Sequence, residues 1–215
     1  MTTAVLATRN AGKTRELEAL LRAALPDLEL LPLDHPRLPA TPDVVESGTT
    51  FAANALLKAR AACAATGLPA LADDSGLAVD VLGGAPGIFS ARWSGRHGDD
   101  DANTALLLAQ LADVPDEARG AAFVCAAALV LPGGLEDVHH GRLEGVLARE
   151  PRGTGGFGYD PVLRLPDGRT VAELDAAEKN RVSHRALAFG ALAAVLPGHL
   201  AGTGPGARTG GPAAP

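Results

Sequence analysis

A chain of 215 residues with 47% apolar and only 3% aromatic content has the length and hydrophobicity for one globular domain whose core is built mainly from Leu, Val and Ala. Its formal net charge of -6 argues against a broad nucleic-acid-binding face or attraction to anionic membranes, so an anionic ligand needs a local cationic pocket or a metal. Cys63 and Cys125 are too few and too far apart for a zinc site or a disulfide framework, which leaves buried free thiols as the expectation.

Residues 3–7 predict a short buried strand, and the polar turn 8–12 leads into an amphipathic helix carrying Leu17, Leu20, Leu21 and Leu25. Residues 28–33 predict the next strand, with the Pro-rich stretch 32–42 as a loop. A helix begins near Phe51, capped by Ser47 or Thr49, and stops at Gly67. Residues 69–72 and 77–81 predict two short strands flanking Asp73-Asp74-Ser75-Gly76, and the glycines of 83–87 require a loop. Asp99, Asp100 and Asp101 start a helix over 102–111, since carboxylates favour the positive helix end.

Residues 121–131 and 138–147 predict paired strands turning at Pro132-Gly133-Gly134. The first of these is the longest apolar run, well short of the ~20 residues that span a bilayer. No basic region followed by an apolar core opens the chain, so a cytoplasmic protein is expected. Glycines preclude regular structure over 152–161, Asp167-Gly168 marks a turn, and a last helix over 183–196 ends at Pro197 and Gly198. Residues 1–198 read as the domain and 199–215 as a flexible Gly/Ala/Pro-rich tail. Alternation of strand and helix early, with consecutive strands later, predicts an α/β fold with a mixed sheet.

Five segments carry candidate chemistry. Ala7-Thr8-Arg9-Asn10-Ala11-Gly12-Lys13-Thr14 follows a strand and opens a helix, nearly a Walker A loop except that Ala7 replaces the first glycine. Backbone N–H groups at such a helix start face an anion, and Lys13 adds charge; an ordinary polar turn is the plainer alternative. Asp73-Asp74-Ser75 sets two carboxylates side by side, where a divalent metal would relieve their burial cost and Ser75 would donate to a phosphate; solvated carboxylates in a turn are equally consistent. Glu46 precedes a helix on which Asn54 and Lys58, four apart, share one face.

Gly153-Thr154-Gly155-Gly156-Phe157-Gly158-Tyr159-Asp160-Pro161 matches a dinucleotide fingerprint only formally, because Pro161 prevents the helix that should follow. Phe157 and Tyr159 on a flexible backbone suit stacking on a nucleobase, or else anchor the loop to the core. Lys179, His184 and Arg185 flank the start of the last helix. Lys13, Lys58 and Lys179 are the only lysines, against sixteen arginines, and each falls inside one of these segments, where a compact ammonium reaches a single phosphate oxygen. His139 and His140 make no ligand spacing with other candidates.

In this order, the segments from Thr8-Arg9-Asn10-Ala11-Gly12-Lys13 through Glu46-Ser47-Gly48-Thr49-Thr50-Phe51, Ala72-Asp73-Asp74-Ser75-Gly76-Leu77, Gly84-Ala85-Pro86-Gly87, Gly156-Phe157-Gly158-Tyr159-Asp160-Pro161 and Ser183-His184-Arg185 resemble the inosine triphosphate pyrophosphatase, or Ham1-like, family. The resemblance implies a two-lobed single domain, its central mixed β-sheet flanked by helices and a nucleotide cleft between the lobes. It also implies a Mg2+-dependent homodimer that hydrolyses ITP, dITP and XTP to the monophosphate and pyrophosphate. Carried onto this chain, Thr8, Arg9, Asn10, Ala11, Gly12 and Lys13 bind triphosphate, and Glu46 and Asp74 hold the metal. Asp74 activates water, Ser75 and Lys58 contact phosphates, and Phe157, Gly158, Tyr159, Asp160, Lys179, His184 and Arg185 surround the nucleoside. Many bacterial members carry Glu before the Asn of the third motif, where this chain has Ala53, leaving Glu46, Asp73, Asp74 and water for the metal. A P-loop ATPase or kinase, and a nucleotide sensor without turnover, are the competing readings.

Overall fold

A computed structural model describes residues 2–201. The elements run β1 (Thr2–Leu6), α1 (Ala11–Ala24), β2 (Leu28–Pro32), α2 (Phe51–Thr66), β3 (Ala70–Val79), α3 (Asp100–Gln110), β4 (Gly120–Val130), β5 (Glu136–Leu147), β6 (Leu163–Arg164), α4 (Ala176–Val182) and α5 (His184–Ala201), with short 3-10 turns between. The six strands form one mixed sheet in the order β2-β1-β3-β4-β5-β6. β1 pairs in parallel with β2 and β3, and the remaining pairings are antiparallel.

Three apolar clusters define two lobes. Leu17 and Leu21 of α1 pack with Phe189, Leu192 and Leu196 of α5 on one face of the sheet, while Ala55, Ala59 and Ala62 of α2 cover the opposite face. The third cluster lies at the far end, where Leu107 and Leu111 meet Leu77, Phe123, Leu163 and Val171. Each fully buried Leu contributes ~1.5–3 kcal/mol. The long strands β3, β4 and β5 run through both lobes, and the cleft opens where the helices of the first lobe end.

The sequence divides β3 in two, but the strand is continuous across Asp73-Asp74-Ser75-Gly76, which pair with Ala127, Ala126, Cys125 and Val124 of β4. Small residues on β4 leave room on both faces for side chains that neutralise the carboxylates, so the polar quartet stays in the ladder. Thr50, rather than Ser47 or Thr49, caps α2: its hydroxyl accepts from the Ala53 N–H at 3.1 Å, the reach a cap requires.

α4 is a separate short helix, and Ser183 divides it from α5, its hydroxyl accepting from the Ala186 N–H at 3.1 Å. α5 runs through Pro197 and Gly198 to Ala201 instead of ending there. Pro197 faces solvent, and the turn beyond it is tied down by His199, which meets the Asp137 carboxylate at 2.8 Å, and by Leu200 packed on the core. The expected tail therefore loses residues 199–201 to the helix, and its remainder lies outside the described residues. Both cysteines are buried free thiols, and no described helix is long and apolar enough to cross a membrane.

Gly141 on β5 sets how closely α5 can approach. A Cβ there would overlap the His184 carbonyl oxygen and stand 2.6 Å from the Ala188 nitrogen. Gly141→Ala is expected to cost about 1–3 kcal/mol by overpacking, read as a lower urea midpoint, and to displace the start of α5 with His184 and Arg185.

Candidate active site

A cavity of about 650 Å³ lies in the cleft, walled by the start of α1, the segment before α2, the middle of β3, the 156–160 loop and the start of α5. The α1 start enters because Thr8 and Asn10 turn the chain sharply after β1. The Thr8 hydroxyl accepts from the Asn10 N–H at 3.3 Å, and the Asn10 carboxamide oxygen caps the Lys13 N–H at 3.0 Å. The first turn of α1 carries no acidic side chain, so its positive end is uncompensated toward the cavity.

This is not a Walker loop. Helix α1 already begins at Ala11, placing Gly12 and Lys13 in its first turn, and Gly12 has no positive φ. Gly12 is needed for proximity instead: a Cβ would lie 3.3 Å from the Phe157 ring. Arg9 turns outward to the cavity rim, donating to the Thr41 carbonyl at 2.6 Å and pairing with Asp43 at 3.0 Å.

The two-residue period of a strand decides the fate of the adjacent carboxylates. Asp73 points to the α1 and α5 side, where Lys13 lies 3.0 Å away, Arg185 3.4 Å, and the Ser75 hydroxyl donates at 3.0 Å. Asp74 points to the α2 side, accepting from Asn54 at 3.1 Å and Lys58 at 3.2 Å. Asp73 is therefore unavailable to a metal beside Asp74, contrary to the sequence expectation; Lys13 and Arg185 neutralise it instead.

Their protonation diverges for the same reason. Burial alone would raise both carboxyls, but Lys13, Arg185 and the more distant Lys58 outweigh it at Asp73 and hold that group well below the usual carboxylate range. At Asp74 burial prevails over the attraction of Lys58 and Lys13, and the nearby Glu46 adds to the rise.

Lys58 also donates to Glu46 at 2.8 Å, so one ammonium sits between two carboxylates on the α2 wall. Among the described residues no three His, Cys, Asp or Glu side chains converge with metal-holding geometry. A hard divalent ion held by two carboxylates and completed by phosphate oxygens and water fits this donor pair.

Opposite, the two aromatics separate. Phe157 stands in the cavity wall with the Lys179 ammonium 4.9 Å and the Arg185 guanidinium 5.1 Å from its ring centroid. Tyr159 is turned into the far-lobe core and donates its hydroxyl to the Ser90 carbonyl at 2.9 Å, so it anchors the loop and is not free to stack. Lys179 does not reach the cavity: it is buried behind Phe157, bonded to Asp160 and Glu16 at 2.7 Å each. Asp160 in turn accepts from the Phe157 N–H at 2.9 Å, and Asp100 from the Gly158 N–H at 2.8 Å.

His184 lines the cavity, stacked on Phe123 at 4.9 Å. Burial, reinforced by the adjacent Arg185 cation, lowers its pKa well below the ordinary value and keeps it neutral. Arg185 donates to Ser75 at 2.8 Å and Glu16 at 2.9 Å.

Glu16 and Asp100 are not among the residues the sequence singles out for the site, and Asn54 is singled out only for its shared face with Lys58. Glu16 sits three residues after Lys13 on one helical face, a spacing that links it to the site in retrospect. Asp100 has no such local sign, because its partner is 58 residues away.

A cleft-forming mixed α/β sheet that brings a helix N-terminus, Lys13, Lys58 and the Glu46 and Asp74 carboxylates to one cavity defines a fold suited to an anionic ligand. The Ham1 family model matches residues 4–195, and the chain belongs to the Ham1 family. It is 63% identical over 198 residues to the dITP/XTP pyrophosphatase of Streptomyces coelicolor, covering 91% of this chain and 98% of that protein. The dITP/XTP pyrophosphatase of Mycobacterium tuberculosis is 58% identical over 200 residues, with 92% and 95% covered. The solved HAM1 protein of Coxiella burnetii superposes with a TM-score of 0.82 at 43% identity, covering 92% of this chain and all of that one.

Removing the charge at Asp73 tests its structural part. Asp73→Asn leaves Lys13 without its carboxylate partner and Arg185 with Glu16 alone, and is expected to cost about 3–5 kcal/mol at neutral pH. A depressed carboxyl contributes stability that is complete above its unfolded pKa of ~3.9 and is lost as pH falls toward the folded value. The gap between wild type and variant in urea melts should therefore narrow below pH ~4.

Proposed function

We propose that this protein hydrolyses ITP, dITP and XTP to the nucleoside monophosphate and pyrophosphate, removing deaminated purines from the nucleotide pool. The observation that carries the reading is the separation of the two β3 carboxylates: Asp73 is locked among cations, while Asp74 faces the cavity with a raised proton affinity. The dITP/XTP pyrophosphatase names borne by relatives at 58–63% identity support the same assignment.

In the proposed reaction Asn54 holds one Asp74 oxygen, and the other, bonded to Lys58 in the structure, takes a proton from water once Lys58 has turned to phosphate. The water oxygen bonds to the α-phosphorus as the bond to the α,β-bridging oxygen breaks, and pyrophosphate departs. Mg2+, held by Glu46 and Asp74 when bound, supplies charge neutralisation of the polyphosphate and of the leaving group. Lys58 and the α1 start with Thr8, Asn10, Gly12 and Lys13 receive phosphate oxygens, and the Ser75 hydroxyl, which donates to Asp73 in the structure, turns to donate beside them.

Phe157 offers its ring to the base. His184, being neutral, and the free N–H groups of Arg185 donate to the 6-oxo group of hypoxanthine and xanthine, where adenine presents an amino donor. Lys179 and Asp160 act from behind, fixing Phe157. The unit is taken to be a cytoplasmic homodimer, on the family resemblance; light scattering on the purified protein checks the stoichiometry.

Incubation with Mg2+ and ITP, XTP, dITP, ATP or GTP should yield IMP and pyrophosphate from ITP, with slower turnover of ATP and GTP. IDP with inorganic phosphate would indicate an ATPase-like reaction, and tight binding without products a sensor. Asp74→Asn is expected to lower kcat by about 10²-fold or more, in line with loss of a general base, while keeping nucleotide affinity better than Lys13→Ala. Near-normal turnover by Asp74→Asn would remove Asp74 from its assigned role.

A further inference from the structure

The α2 wall carries a cation of its own. The Lys58 ammonium donates to Glu46 Oε1 at 2.8 Å and to Asp74 Oδ1 at 3.2 Å, with its side chain only 16% exposed. The second Asp74 oxygen is taken by Asn54 Nδ2 at 3.1 Å, and the Asn54 oxygen accepts from the Gly48 N–H at 2.8 Å. One asparagine on α2 thus fixes both the strand bearing Asp74 and the segment bearing Glu46, aiming two carboxylates at a point that Lys58 fills.

A divalent ion seeking those oxygens must shed part of a tightly held hydration shell and also displace the ammonium. Displaced without a new partner, Lys58 would be a largely buried unpaired charge, a costly state. A polyphosphate removes that cost by offering anionic oxygens to the same flexible stem.

We propose that Lys58 is the resident counter-ion of the metal site, so that a divalent cation enters only together with a nucleoside triphosphate, as Lys58 transfers from Glu46 and Asp74 to phosphate. This rests on the pyrophosphohydrolase reading for the identity of the polyphosphate. It makes metal loading conditional on substrate, and it gives Lys58 a task in the empty protein separate from its phosphate contact.

Mn2+ serves as the probe. Free Mn2+ is followed by electron paramagnetic resonance with nucleotide-free wild type, Lys58→Met and Lys58→Gln, each checked for folding by circular dichroism. Wild type should show no saturable Mn2+ binding in the low millimolar range. The Lys58 variants should bind Mn2+ on the order of tenfold or more tightly than wild type, and Asp74→Asn in the same background should abolish the gain. With wild type, water-proton relaxation enhancement should rise only when an α,β-methylene analogue of ITP is added with Mn2+.

Tight Mn2+ binding by nucleotide-free wild type overturns the proposal whether or not the variants fold, as does a folded Lys58 variant that binds no better than wild type. Wild type that hydrolyses ITP yet binds Mn2+ alone sinks the counter-ion and leaves the reaction standing. Failure to hydrolyse ITP sinks the reaction, while the nucleotide-free measurements still decide what Lys58 does.

Discussion

Asp73 carries a negative charge into the interior, and the cations that neutralise it come from opposite ends of the chain, Lys13 from the first helix and Arg185 from the last. Breaking such a cluster by removing one member leaves the others desolvated and unpaired, which is why it constrains more than it stabilises. Through it the α1 start, the middle of β3 and the α5 start are fixed relative to one another. Glu16 extends the cluster to Lys179, and Lys179 extends it to Asp160 and the loop bearing Phe157. The cavity wall is the outer surface of this buried polar network.

The network explains a division of labour among polar groups that look alike. Lys58 and Lys179 each meet two carboxylates and Lys13 meets one, at different depths: Lys179 is enclosed, while Lys13 and Lys58 retain a face toward the cavity. A flexible stem with a compact charge can rest on a carboxylate and still reach an incoming phosphate. The planar Arg185 fork instead spreads across Asp73, Glu16 and Ser75, a role in which rigidity helps.

Much of this is legible in the sequence. The amphipathic helix after β1 follows from side-chain chemistry and periodicity within one window, although its start at Ala11 falls inside the turn that 8–12 predicts, and so does the shared face of Asn54 and Lys58. The continuity of β3 was not legible, because adjacent carboxylates argue for a turn until their cations, over a hundred residues away in the case of Arg185, are brought beside them. Tyr159 and Phe157 could not be told apart by composition, since only the partner of the tyrosine hydroxyl, 69 residues upstream, reveals which faces the core. The end of α5 was misjudged because Pro197 outweighs local propensity, whereas the anchoring of His199 on Asp137 is a tertiary contact.

The alternation along β3 also limits how this protein can change over evolutionary time. Deleting Ala72 would leave an acidic pair in the text of the sequence but shift every later side chain to the other face of the sheet. A group proposed to handle water would then meet the cations of α1 and α5, and the lysine of α2 would face whatever replaced it. The spacing within this strand is therefore fixed, and length conservation there should outlast the identity of many residues around it.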